Sequence, residues 1–456
     1  MRPANYCVRV IVAGFYQINI EVYIKEDELM LVQREKLLDG VWFNSVFNDK
    51  FKENLLTFRF VVPLKKRSVA GYAVMPNLLA MSNKKYDNIV KLNRYLCKLY
   101  GVELIVKEEK IGSYQVITLS MSYVDGKYII DNDDYLTECY ALITSILNEP
   151  NIVDGKFKDV DVNIAKDIIL DKIDFRANDK YIYAKDRCNE IMFEGEDLAL
   201  SKYGTKKDVE ELLSEDLVNA YHNLMHQSKI EITYIGSDNV KRVKDVCKHI
   251  FQDRNTDYSF KIKFIPSIVK NEAAKVEEIL DVSQSKVMIG LKCDKQTVDL
   301  KDIREYIVMN TIYGGSPFSK LFVNIRENMS LCYSCGSTYD RFSNSVVISM
   351  GIDHKNKNQA IDGVLKQLND IQIGNFDIED VNKAKLIIKN NYCQIKDSID
   401  GIDKWYFKQG LLNSYYSIDE EIKLLYNVTK EQIIEAAQSL KLDTIYSLRG
   451  DEDSYA

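Results

Sequence analysis

The chain has 456 residues, 46% of them hydrophobic and 28% charged, with a net charge of −7 and a pI near 5.5. This composition excludes a disordered chain and gives apolar material for more than one core, within a prior of roughly two to four domains. The acidic balance, with only the short basic run Lys65-Lys66-Arg67, argues against nucleic-acid binding by bulk charge.

In chain order, Cys7–Val12 comes first. Arg9 interrupts it, so it reads as a strand start and not a signal peptide. Residues 55–62 form a β-rich run, a helical segment follows, and Val102–Val106 pairs with Tyr114–Ser122. In that pair Val116, Thr118, Ser120 and Ser122 alternate as on a sheet with one covered face. A helix starts at Ser214, read as its N-cap, and the strand Ile230–Ile235 closes at Gly236. Val240–Phe251 is helix-like, and a polar, extended stretch follows it. The order then recurs: strand Val287–Leu291, a helix, the strand pair Leu331–Ser337 and Ser345–Ile352, a helix capped by Thr429, and strand Thr444–Leu448. No apolar run reaches the roughly 18 residues of a membrane span. Nine scattered Cys, an odd number, point away from a disulfide framework and to a reducing cytoplasm.

The recurrence is a duplication. Residues 155–169 and 374–388 share nine identities: Gly155/Gly374, Phe157/Phe376, Asp161/Asp380, Val162/Val381, Asn163/Asn382, Ala165/Ala384, Lys166/Lys385, Ile168/Ile387 and Ile169/Ile388. The expected architecture is α+β, with homologous domains at 1–236 and 286–456 joined by 237–285. A long tether permits a clam-like arrangement of the two lobes.

One stretch carries more than fold. Gly314-Gly315-Ser316-Pro317-Phe318-Ser319-Lys320-Leu321-Phe322 leads into Val323-Asn324-Ile325-Arg326-Glu327, and Leu331-Cys332-Tyr333-Ser334 follows. This string resembles the second homologous domain of the M16 (pitrilysin/insulinase-like) metallopeptidases. It departs from the family pattern at Ile325 and at Ser330, where the family prefers Gly. The resemblance runs from about residue 10 to 450 and implies a LuxS/MPP-like metallohydrolase fold. It also implies that Arg326 and Tyr333 bind a substrate backbone. A guanidinium and a phenol can both donate to peptide carbonyls, and the Gly314–Ser316 turn would let that backbone approach closely. The competing reading is a surface Arg–Glu pair and a buried core tyrosine.

Active members of the family carry His-x-x-Glu-His, two zinc ligands and a general base, with a distal Glu further on. Here Pro76, Leu79 and Ala80 stand by position for His, Glu and His, and Lys172 falls near the distal Glu. None ligates a cation. The chain has four His, at 222, 226, 249 and 354. His222 and His226 are spaced to share a metal, but Met225 stands where a base would be needed, and a polar helix face accounts for them. Cys332 and Cys335 form a Cys-x-x-Cys, but on a regular strand their sulfurs would point to opposite faces.

The resemblance is nearest to zinc-less bacterial M16B subunits, YmfF-like chains. It implies a non-catalytic, substrate-binding subunit with no cofactor of its own, a peptide substrate, and a zinc-bearing homologue as heterodimer partner. The alternative is a catalytically inactive binding or assembly protein on the same fold.

Overall fold

The duplication in the sequence is a duplication of sheet topology. The computed structural model describes residues 32–130, 134–254, 262–263, 268–295 and 300–450. The first half supplies β1 (Val32–Leu38), β2 (Val41–Phe47), β3 (Glu53–Pro63), β4 (Glu103–Ile111), β5 (Tyr114–Val124), a short ribbon of β6 (Ile152–Val153) and β7 (Lys156–Phe157), and β8 (Lys229–Gly236). The second supplies β9 (Ala274–Ile279), β10 (Ser285–Cys293), β11 (Cys332–Asp340), β12 (Ser345–Ile352) and β13 (Leu440–Arg449). The expected strand at Cys7–Val12 lies outside the described residues, as do residues 255–261 and 264–267 of the polar stretch.

The order β2-β8-β3-β5-β4 in one sheet is matched by β9-β13-β10-β12-β11 in the other, and β1 adds an outer strand beside β2. Each series opens with a parallel pair and continues antiparallel.

The helices repeat too. The first half carries α1 (Val69–Leu79), α2 (Ile89–Lys98), α3 (Tyr135–Asn148), α4 (Asp159–Asn178), α5 (Lys180–Met192), α6 (Lys206–Glu210) and α7 (Ser214–Gln227). Then come α8 (Val240–Ile250), α9 (Leu300–Tyr313), α10 (Lys357–Gln372), α11 (Ile378–Ile395), α12 (Ile399–Leu411), α13 (Ile418–Tyr426) and α14 (Lys430–Gln438). Gly155 and Gly374 both adopt φ near +76° and +79° in the turns before α4 and α11, a backbone region costly for any side chain, which explains why both copies keep glycine. Thr429 caps α14 by accepting from the Gln432 amide. Ser214 does not cap α7. The cap is Leu213, whose amide donates to Asp216, and the Ser214 hydroxyl accepts from Phe157 N at 2.8 Å.

Each sheet packs its helices over a core. Phe58, Phe60, Val74, Ile143 and Ile232 belong to the first, and Ile289, Ile348, Val364 and Ile433 to the second. The lobes also exchange helices. From the first half, α5 lays Ala184 and Cys188 against Met288, Tyr446 and Leu448 of the second sheet. From the second half, α12 sets Ile402, Trp405 and Tyr406 against Val46 and Ile235 of the first sheet. The segment 237–285, expected as a tether, is divided between the lobes. α8 buries Val243, Cys247 and Ile250 in the first core, whereas β9 is the edge strand paired with β13. Hydrogen bonding thus carries the second lobe back to residue 274. Among the described residues, no helix is long and apolar enough to cross a membrane.

Candidate functional site

Of the first-lobe positions singled out in the sequence, Pro76 and Leu79 lie on α1, Ala80 follows it and Lys172 lies on α4. Every residue of α1 is buried, which is the signature of a core helix and not of a surface one. Pro76 and Leu79 lie in the apolar interior and Ala80 is the C-cap, its amide bonded to Pro76 O. The α1 side chain that faces Lys172 across the site is Asn77, between the positions read from the sequence. Its Nδ2 donates to Glu108 Oε1 at 3.0 Å. Lys172, on α4, donates to the same carboxylate at 3.0 and 2.8 Å. The Glu108 side chain is only 3% exposed.

Neither Asn77 nor Glu108 stands out in a linear reading. A signal existed: Leu104, Val106 and Glu108 share one face of β4 by two-residue alternation, and a carboxylate on an apolar face needs a partner. The surroundings are cationic. Lys202 donates to Glu108 O at 2.6 Å. Burial lowers the Lys202 ammonium below its ordinary range, and Lys172 and Arg176 lower it further. Burial also pushes Lys110 down to about 8.

The second lobe holds the other positions. Residues Leu321–Asn328 form a π-helix, with Met329 N bonded to Asn324 O at 3.0 Å. Widened turns of this kind recur at functional sites. Leu321 and Ile325 are buried, and Asn324 is tied to Gln367 of α10 at 2.7 Å. Arg326 is left at the exposed end. Its guanidinium lies 4.6 Å over the Phe322 ring, with Glu327 3.6 Å from Nε. Tyr333 is 65% exposed, so it is no core tyrosine. Phe318, Val323 and Met329 are exposed on the same segment.

Ser330, between the π-helix and β11, has φ +51°. That left-handed conformation is the physical reason a glycine suits the position.

The small turn is engaged internally. Gly314 is buried, and its carbonyl accepts from Ser337 N at 3.0 Å. A Cβ there would come within 2.5 Å of Ser337 Oγ and 2.7 Å of Leu321 Cδ1. A Cβ on Gly315 would meet Asn310 Nδ2 at 2.8 Å. The Ser316 hydroxyl donates to Thr311 O at 3.0 Å. These small residues let α9 close onto β11; Gly315 is exposed and Ser316 half-buried.

Residues 212–388 match the model described as "Peptidase M16 inactive domain". A probable inactive metalloprotease, YmfF, from Bacillus subtilis (strain 168) is 27% identical over 91% of this chain and 96% of its own length. A conserved protein of Enterococcus faecalis V583 superposes with a TM-score of 0.84 at 25% identity, over 92% of this chain and 99% of that one. A peptidase M16 inactive domain from Pseudomonas fluorescens has the same fold, with a TM-score of 0.75 at 13% identity, over 92% and 98% of the two chains.

The chain is thus similar to the M16 peptidase family, over residues 212–388.

Zinc is the metal the family implies, and the residues here do not fit it. Proline, leucine and alanine offer no lone pair. The buried Glu108 carboxylate near them already receives an ammonium and an amide, and further cations stand around it. His222 and His226 stack with ring centroids 6.1 Å apart. Burial lowers the His226 imidazole below its usual range, helped by His222 and the Arg254 guanidinium. A cation neighbour works against a metal there. Among the described residues, no three His, Cys, Asp or Glu side chains are grouped to hold a metal ion.

The Cys-x-x-Cys departs from the expectation of opposed sulfurs. Cys332 pairs with Ile352, Ser334 with Gly351 and Cys335 with Met350, so Tyr333 is the extra residue of a β-bulge. Ile352 and Met350 share a face, and so, therefore, do the two cysteines opposite them. Both are buried in the second core.

Proposed function

We propose that this chain is the non-catalytic, substrate-binding subunit of a two-chain peptidase. The observation that carries the reading is a contrast between lobes. In the first, Lys172 and Asn77 saturate the carboxylate beside the degenerate metal positions. In the second, Arg326 and Tyr333 remain exposed to a ligand, on a segment that also presents Phe318, Val323 and Met329.

A peptide backbone offers carbonyl acceptors to both donors. The Phe322 ring and Glu327 hold the guanidinium in place, which lowers the entropy lost on binding. The apolar neighbours suit peptide side chains. Hydrolysis itself would come from a zinc-bearing M16 homologue facing this surface, where donors preset around the attacked carbonyl favour the charge that develops on it. The helix exchange between the lobes supports a chamber closed between two chains, since each lobe is pinned to the other within one chain.

The test is reconstitution with the zinc-bearing M16 homologue of the same genome, followed by peptide cleavage. Cleavage should need both chains and fall by about 10²-fold or more with Arg326→Ala or Tyr333→Phe. Equal cleavage by the double variant would remove the substrate-contact role. Co-purification only with itself or with a chain lacking His-x-x-Glu-His would favour the assembly reading.

A further inference from the structure

The bulge at Tyr333 sets a dithiol directly beneath an exposed residue, and the geometry points to a redox site. Cys332 and Cys335 close to an intrachain disulfide by exchange with small-molecule disulfides, and this closure resets the position of Tyr333. The consequence for peptide binding rests on the function proposed above; the chemistry of the cysteines does not.

On a regular strand, residues three apart are about 10 Å apart along its axis and face opposite ways. The bulge removes both obstacles. The two cysteines oppose residues only two apart on β12, a span of roughly 6.6 Å. A disulfide bridges Cα atoms roughly 4.4–6.8 Å apart. The pair therefore sits at the outer limit of that range, and closing it draws the ends together. The residue with slack to give is the one without a partner on β12, which is Tyr333.

The thiols are also differentiated. The Cys335 thiol donates a hydrogen bond to the Cys332 sulfur, which lowers Cys332 despite burial, and the Arg326 guanidinium lowers it further. The same hydrogen bond, together with burial, raises Cys335. One sulfur is thus prepared as a nucleophile and the other as a resolving thiol. β11 is the edge strand of its sheet and Cys332 is its first residue, 8% exposed, so a small disulfide reaches it when this strand end opens.

The exchange balances. The Cys332 thiolate attacks one sulfur of RSSR, whose S–S bond breaks; the released RS⁻ takes up a proton, leaving Cys332 joined to SR. Cys335 then loses its proton and attacks the Cys332 sulfur, expelling the second RS⁻. Two protein thiols and RSSR become one protein disulfide and two RSH.

The experiment exposes the reduced full chain to oxidised glutathione, alkylates it and digests it with trypsin. Both cysteines fall in one peptide, residues 327–341. The expected result is that this peptide escapes alkylation, is lighter by two hydrogens and is restored by a thiol reductant. Amide hydrogen exchange across residues 330–335 should change with it, and Cys335→Ser should arrest at a glutathione adduct on Cys332. Full alkylation of the peptide, while the exposed Cys97 and Cys393 have reacted, would overturn the proposal. So would a disulfide that leaves exchange around Tyr333 unaltered. Peptide capture, measured alongside, should weaken several-fold on oxidation. Absence of capture by the reduced chain would instead count against the peptide-binding function, with the dithiol chemistry intact.

Discussion

Lys172 Nζ lies 2.8 Å from Glu108 Oε2, joining α4 to β4 beside the helix that carries Pro76 and Leu79. The ammonium supplies a positive charge that neutralises a buried carboxylate without offering a coordination site. Removing it by Lys172→Met leaves Glu108 with Asn77 alone. The expected loss of stability is roughly 1–3 kcal/mol, the cost of an unmade hydrogen bond to a buried charge. Urea denaturation measures it. In the unaltered chain, dialysis against a chelator should leave the midpoint unchanged. A chelator-sensitive midpoint would mean that a metal, and not Lys172, holds this cluster together.

Ser330 holds a conformation that costs a side-chain-bearing residue roughly 1–2 kcal/mol. Ser330→Gly relieves that strain, offset in part by the greater freedom of glycine in the unfolded chain. A net gain of up to about 1 kcal/mol is expected, seen as a higher urea midpoint at unchanged slope. A lower midpoint would show that the serine makes a contact worth more than its strain.

Arg59 and Asp403 join the lobes through two hydrogen bonds of 2.6 Å, with side chains 3% and 2% exposed. Thr57 adds a third bond to the carboxylate at 3.0 Å, and the guanidinium stacks 4.5 Å over Phe407. Asp403→Ala strands a buried guanidinium. The cost should be about 3–5 kcal/mol, in the range measured when one partner of a buried pair is removed. Since α12 belongs to one lobe and covers the sheet of the other, the loss should weaken both lobes together. Amide exchange at β3 and in α12 should rise in step. Protection lost in α12 alone would contradict the clamp.

The legible and the hidden parts of this molecule divide along a physical line. Period-two patterns and the 155–169/374–388 repeat revealed the strands and the twofold plan, because alternation and caps are local. Asn77, Glu108 and Lys172 meet from positions 31 and 64 residues apart, and no local pattern records that meeting. The bulge at Tyr333 was hidden for another reason. Its extra residue is defined by the register of β12, and without that register Cys332 and Cys335 read as opposed. Likewise α5 and α12 are ordinary amphipathic segments in sequence; which sheet each covers is decided only in three dimensions. Arg326 and Tyr333 are exposed, and the small turn before them packs against β11, neither of which the string of residues alone displays.

Glu231 gives the pH dependence a definite sign. It is buried on β8, where Arg34 donates to it at 2.6 and 2.9 Å and Lys229 lies 2.8 Å away. Burial alone would raise its carboxyl, but the two cations outweigh burial and bring it down to about 2. In the unfolded chain a glutamate titrates near about 4.3. The unfolded state therefore binds more protons between those values, and stability falls as the medium is acidified from about pH 4.3 toward pH 2. The contribution is fully present above that window. Glu231→Gln removes this titration, so the variant should be less stable near neutrality yet lose less on acidification. Urea midpoints measured for both chains across the window decide the matter. Parallel pH profiles would show that Glu231 is not the titrating group.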